Sequence, residues 1–218
     1  MDDFGYVQEV RVDTLKTGSV RNPYQRTIEG VGYFGVGAHK GTEINKYGSW
    51  SGMLYRCYNK KFKEKYPSYR ECYSVDSWHC YQTYADFYEN CPYREPGWHL
   101  DKDLLVPGNK IYGPETCVYL PPSINNKLFY SPIRNQYGLR GVWYDVGCSK
   151  WRAIVSSTID KRTIIGYFDS KEEANATALS VEAEYFRAVA EEWEGRLDPR
   201  AIQGLLNLAE HRKGMILT

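Results

Sequence analysis

Trp98 to Asn126 reads WHLDKDLLVPGNKIYGPETCVYLPPSINN, and the fold turns on this stretch. WHLDKDLL has the pattern of a strand entering a turn at Pro107 and Gly108, and TCVYL is its expected antiparallel partner. The Pro121-Pro122 break then predicts a short helix carrying Asn125. A strand pair followed by a helix can hold one divalent ion between them. Hydrolysis of a phosphodiester needs a base to activate water, a hard cation on the phosphate, and a fixed geometry for both. His99 suits the base, since imidazole titrates near neutral pH. Asn125, with Asp101 or Asp103, offers oxygen ligands to Mg²⁺ (or Mn²⁺), which keeps several waters and asks for few protein groups. Asn109, in the turn after Gly108, is placed to brace the loop. The plainer alternative for His99 is an ordinary strand histidine.

Upstream, SWSGMLYRCYNKKF puts Trp50, Met53, Leu54 and Cys57 at helical spacing, with Ser49 as the expected N-cap. Arg56 and the lysines at 60, 61, 63 and 65 would face solvent, as a phosphate-binding stripe or a plain solvated face. Pro67 ends that run, CYSV reads as a short strand, and Ser77 to Asn90 predicts a second helix closed by Pro92. His79 and Cys80 are adjacent there, point about 100° apart on a helix, and read as structural. Residues 1 to 46 are rich in glycine and turn residues and suggest twisted strands and loops. They contain a G-x-G-x-x-G at Gly30, Gly32 and Gly35, but no helical period follows, so a β-rich turn is expected and not a dinucleotide site.

Downstream, GLRGVWYDVG, KWRAIVSST and KRTIIGYF predict three strands joined by turns at Val146 to Ser149 and Thr158 to Asp160. Ser170 begins a capping box with Glu173. Ala174, Ala178, Val181, Tyr185, Val189 and Trp193 then recur at helical spacing, so the helix should pack across the sheet. Asp198 and Pro199 open a final helix. The sheet face away from the helix can carry Arg140, Trp143, Arg152 and Arg162, and a sheet of this size fits a DNA major groove.

The formal net charge is only +1 over 218 residues, yet the lysines cluster early and Glu182, Glu184, Glu191, Glu192 and Glu194 cluster late. The six cysteines form no C-x-x-C pair, which points to reduced cytoplasmic thiols and away from a paired-ligand zinc site. No apolar run reaches the ~18 residues of a membrane span, so no membrane partner is expected, and nothing calls for an organic cofactor.

The order H-L-D, GN, TCVYLPPSIN resembles the ββα-metal motif of HNH endonucleases, in its H-N-N variety from phage and intron-encoded homing enzymes. That resemblance implies His99 as general base, Asn109 as the loop-holding residue and Asn125 as a metal ligand. Trp98 stands where the family commonly has a metal-binding His or Asp, and the spacing from His99 to Asn125 is longer than in the compact motif. Asp101 or Asp103 is then the substitute ligand, with a degenerate centre as the alternative. RGVWY, KWRA and IIGYFDSKEEA resemble the DNA-binding domain of plant ethylene-response-factor (apetala-type) regulators. This second resemblance implies contacts to double-stranded DNA from Arg140, Trp143, Trp151, Arg152 and Arg162. The expected architecture is α+β: a β-rich region over 1–46, a helical region and ββα-metal module over 47–130, and a three-stranded sheet packed on a helix over 131–218. The implied function is metal-dependent DNA cleavage with site selection by the C-terminal sheet, and the alternative is a DNA-binding or regulatory protein without cleavage.

Overall fold

The computed structural model describes residues 7, 9–18, 20–128, 136–139, 141–156 and 162–216. The chain divides into two compact units, Met1–Pro92 with Gly108–Cys117, and Tyr93–Pro107 with Val118–Thr218. Each unit is therefore built from two separate stretches of chain.

The first unit opens with the short helix α1 (Val12–Lys16), after which turns run to residue 43. The twisted strands expected over 1–46 are not formed among the described residues. Only the isolated bridges Ile28–Gly32 and Tyr33–Cys80 appear, because Gly30 and Gly35 take positive φ and turn the chain too often for a ladder. The close packing expected of the glycine motif is present: a Cβ on Gly32 would lie 2.4 Å from Leu54 Cδ1. Helix α2 (Ile44–Tyr58) starts earlier than its apolar stripe suggested, so Ser49 is inside it and meets the Tyr84 hydroxyl at 2.6 Å instead of capping. Trp50, Met53, Leu54 and Cys57 are all buried, as the spacing predicts. Asn59 is extended and separates α3 (Lys60–Lys65) from α2, its side chain accepting from Phe62 N–H as the new cap.

A 3-10 turn at Pro67–Tyr69, strand β1 (Tyr73–Ser74) and a second 3-10 turn at Asp76–His79 lead into α4 (Tyr81–Asn90). The single helix expected from Ser77 is thus broken at Cys80, which is extended (φ −81°, ψ 123°). The break has a local cause. Tyr33 donates its N–H to the His79 carbonyl and accepts from Tyr81 N–H, both at 2.9 Å, and so takes backbone groups a continuous helix would use. His79 is structural, as expected: burial lowers its pKa, and its Nε2 meets the Tyr58 hydroxyl at 2.9 Å. Trp50, Trp78, Tyr81 and Tyr84 close the core, with Trp50 Nε1 donating to the Trp78 carbonyl at 2.8 Å. Burying side chains of this size contributes roughly 2–3 kcal/mol each.

The second unit holds β2 (His99–Asp101). The chain then lends residues 108–117 to the first unit, where β3 (Ile111–Tyr112) pairs in parallel with β1, and returns as β4 (Val118–Leu120), antiparallel to β2. Helix α5 (Pro122–Leu128) follows directly. Strands β5 (Val142–Asp145), β6 (Lys150–Ser156) and β7 (Arg162–Phe168) form a three-stranded antiparallel sheet in sequence order. The expected turn at Thr158 to Asp160 lies outside the described residues. Ser170 accepts from Glu173 N–H at 3.0 Å and caps the long helix α6 (Lys171–Glu192). Asp198 caps α7 (Pro199–Gly214), with Pro199 in its first turn.

Helix α6 serves two cores. Ala174, Ala178 and Val181 pack on the sheet with Val142, Ala153 and Val155. Farther along, Ala183, Phe186, Val189 and Ala190 pack with Leu120, Ile124 and Leu128 and with Leu197, Leu205 and Leu208. The helix therefore covers the sheet only with its first half. The ion pairs Arg187–Glu210 and Arg212–Glu182 tie α6 to α7. The architecture is α+β with a three-stranded antiparallel sheet, and among the described residues no helix is long and apolar enough to cross a membrane.

Candidate functional site

Strand alternation puts His99 and Asp101 on one face of β2, with Leu100 on the other. His99 is exposed, whereas Leu100 is buried. Because α5 follows β4 after a single Pro121, its first turns return to the β2 strand, and Asn125 Nδ2 stands 3.3 Å from His99 Nδ1. Asn125 is only 7% exposed, and its Oδ1 is buried with no hydrogen-bond partner. A buried carbonyl oxygen without a donor costs about 1–3 kcal/mol, and such groups are few in folded proteins. Of the residues singled out from sequence, His99 and Asn125 are the pair the fold brings together.

Asp101 is partly committed. Its Oδ1 accepts from the N–H groups of Asp103 (3.0 Å) and Leu104 (2.7 Å), closing the turn that follows β2. Burial pushes its carboxyl above the usual aspartate value, and these two N–H groups offset that only in part. Asp103 is held by Lys102 at 2.6 Å. Asn109 does brace its own loop, its side chain donating to the Ile111 carbonyl (2.7 Å) and accepting from Ile111 N–H (3.0 Å). It belongs to the first unit, while His99, Asp101 and Asn125 belong to the second. The long spacing between His99 and Asn125 has the same origin, since residues 108–117 are spent on pairing β3 with β1. Trp98 packs into the helical core, its ring 5.9 Å from that of Trp193.

The sheet splits its candidate residues between two faces. Trp143 pairs with Arg152, and Arg152 with Tyr167, so the three form a row across the strands on the face away from α6. Trp143 is 45% exposed, Tyr167 47%, and Ile164 on the same face 48%. The Arg152 Nη1 lies 3.8 Å from Asp145, a loose ion pair. Trp151, a DNA contact by the resemblance, pairs with Tyr144 and Phe168 on the α6 side and packs edge-on against Tyr137 and Tyr144. The reason is alternation, since Ala153 and Val155 on the same strand are core residues and Trp151 shares their parity. Arg162 stands opposite Ser156 in the register, and Arg140 lies outside the described residues. Tyr167 and Ile164 were not singled out from sequence; Tyr167 is placed only once β7 is aligned with β6, and a bulge after Ala153 hides Ile164.

Among the described residues, the His, Cys, Asp and Glu side chains whose ligand atoms all lie within 4.8 Å of one another are His39, Glu43 and Glu89, in the first unit. Their common centre is taken by the Lys46 ammonium, 3.1 Å from His39 Nδ1, 2.6 Å from Glu89 and paired with Glu43. Burial alone would lower the Lys46 pKa, but its bonds to Glu43 and Glu89 outweigh that and raise it. Lys46 thus acts as the internal cation of this cluster. Replacing it with Met leaves two glutamates facing each other and should lower stability by about 2 kcal/mol, discounted for their partial exposure. A denaturation midpoint within error of wild type would refute that role.

No known protein family, curated protein or solved structure matches the chain.

Proposed function

We propose that the protein is a metal-dependent DNA endonuclease of the HNH type, nicking or cutting duplex DNA, with the C-terminal sheet selecting the site. The observation that carries this reading is the His99–Asn125 pair: an exposed strand imidazole 3.3 Å from the amide of a buried asparagine on the helix that follows. His99 is the residue that takes the proton from the attacking water. With the amide nitrogen on Nδ1, as seen, the neutral ring carries its proton on Nε2. Turning the amide over places Oδ1 on Nδ1–H and frees the Nε2 lone pair toward solvent for base chemistry.

The oxygens present suit a hard cation. Asp101, whose charged form is disfavoured by burial, would hold Mg²⁺ or Mn²⁺, while Asn125 Oδ1, once turned onto Nδ1–H, serves to orient His99. The cation would stabilise charge on the phosphate. So few protein ligands imply that DNA phosphate completes the shell, so cation affinity should be weak in the free protein. The test is incubation of supercoiled and linear duplex DNA with protein and Mg²⁺ or Mn²⁺, against a chelator control. Intact DNA under every metal condition defeats the nuclease reading.

A second reading is favoured by Trp98, which occupies an expected ligand position and is spent on packing against Trp193. On it the protein binds duplex DNA without cutting. It predicts salt-dependent binding, weakened in an Arg140→Ala, Arg162→Ala double variant, with no cleavage. Absence of any DNA binding defeats both readings.

A further inference from the structure

In the first unit, helix α3 and the turn after it concentrate charge of one sign. The four lysines of α3 are joined by Arg70 and by Lys110, which enters just before β3, and the acids in the same stretch are Glu64 and Glu71. None of these cations takes an ion pair among the described residues, with those acids or with any other. Neutral groups hold the side chains instead. Lys63 Nζ donates to the Cys72 carbonyl at 3.1 Å, Lys110 Nζ donates to the Ser68 carbonyl at 2.9 Å, and Lys65 Nζ lies 5.3 Å from the centre of the Tyr66 ring. An ammonium has three donors, so one carbonyl leaves two of them, and the full charge, for a further partner. A plain solvated face intersperses its signs, whereas this one is short of acids and repels itself until an anion joins it.

Aromatic rings stand among the cations. Tyr55 is 43% exposed and Tyr66 42%, and both pack against Phe62, with ring centroids 5.3 and 4.6 Å from it. Phe62 is braced in turn by Tyr69 at 5.3 Å, so the two exposed rings are anchored on a common support. The lysines by themselves suit duplex and single strand alike, since both present phosphate. The rings discriminate: duplex bases are stacked on one another, and a single strand is free to lay its bases on aromatic side chains.

We propose that the α3 surface of the first unit binds single-stranded nucleic acid, with its lysines on the backbone phosphates and Tyr55 and Tyr66 stacked on bases. The inference rests neither on cleavage nor on the C-terminal sheet. Phosphate contacts by lysine release counterions and so depend on salt, whereas stacking on Tyr66 does not.

The test is fluorescence anisotropy of a labelled oligothymidylate with the full chain at several salt concentrations, in chelator so that no strand is cut. Wild type should bind it, and a duplex of equal length should compete poorly for the same surface. Tyr66→Ala should weaken binding about tenfold with the salt slope unchanged, and Tyr66→Phe should retain most of the affinity because the ring is kept. A Lys60→Ala, Lys61→Ala double variant should lower the slope by about 1.4, the value for two phosphates of a single strand. The Arg140→Ala, Arg162→Ala double variant should bind as wild type does. All the substituted side chains of α3 and Tyr66 are exposed, and thermal melts establish that each variant is folded. No binding of the oligothymidylate by wild type overturns the inference and leaves duplex cleavage to its own assay. Equal binding by Tyr66→Ala also overturns it, since the surface would then be a general polyanion site. Loss of binding in the Arg140, Arg162 variant overturns it by placing the strand elsewhere.

Discussion

His99→Ala is expected to reduce Mg²⁺-dependent DNA cleavage by about 10²–10⁴-fold, the range that a positioned acid–base group supplies. The side chain is exposed on β2, so its removal leaves no cavity, and affinity for DNA should change little. This separates loss of chemistry from loss of fold or binding. Binding and cleavage measured on the same preparation make the comparison. Cleavage at the wild-type rate by His99→Ala would remove the histidine from the reaction and, with it, the proposed role of the strand-and-helix pair. Asn125→Ala tests the same pair from the other side. It removes the amide beside Nδ1 and also empties a buried position in α5, so its effect mixes positioning with packing. His99 is for that reason the cleaner probe.

Gly141→Ala should be the most damaging single substitution in the sheet, at about 3 kcal/mol or more. Gly141 has φ +70°, where a non-glycine residue is strained by about 1–3 kcal/mol. An added Cβ would also lie 2.5 Å from the Ile154 carbonyl oxygen, a backbone atom that does not rotate out of the way. The same carbonyl region is anchored, because Ile154 donates its N–H to the Gly141 carbonyl at 2.7 Å. Relief of the clash therefore means opening the β5–β6 edge. That edge sets the pairing of Trp143 with Arg152, so on the proposed reading DNA binding should fall together with the sheet's stability although none of the residues proposed to touch DNA has changed. A thermal transition unchanged from wild type would show that the backbone there adapts at no cost.

Much of the second unit was legible in the sequence because its signals are local. Ser170 before Glu173, Asp198 before Pro199, and the apolar period from Ala174 to Trp193 act within one or two helical turns, and both helices begin where expected, although only the first half of α6 packs on the sheet. The antiparallel pairing of His99–Asp101 with Val118–Leu120 was also visible, since alternation and turn residues bracket it. Less local features were not. The break at Cys80 depends on Tyr33, far away in sequence, taking the backbone groups at 79 and 81. The start of α2 before Ser49 depends on Lys46 being buried by His39 and Glu89, which no helical period reports. Trp151 lies on the α6 side because it shares the parity of Ala153 and Val155, which the resemblance alone does not report.

For the candidate site, sequence supplied the residue types and their order, and the fold decided which of them meet. His99 and Asn125 come together because α5 begins at once after β4. Asp101 was named for its charge, and its backbone partners follow from the turn after β2. Tyr167 required the register across three strands, which emerges only once β6 and β7 are aligned.

The loan of residues 108–117 from one unit to the other also sets an order of events during synthesis. Strand β1 leaves the ribosome long before β3, its partner, so the first unit stays unfinished until the chain has been made to residue 117. By then β2 has already emerged, and it must wait with an open edge until β4 follows. Neither unit can be released by a single cut, and a ribosome stalled near residue 92 would present a first unit lacking the strand that completes it. The interleaving makes the interval between residues 93 and 120 the period of greatest exposure to misfolding, when two unpaired strands coexist on one nascent chain.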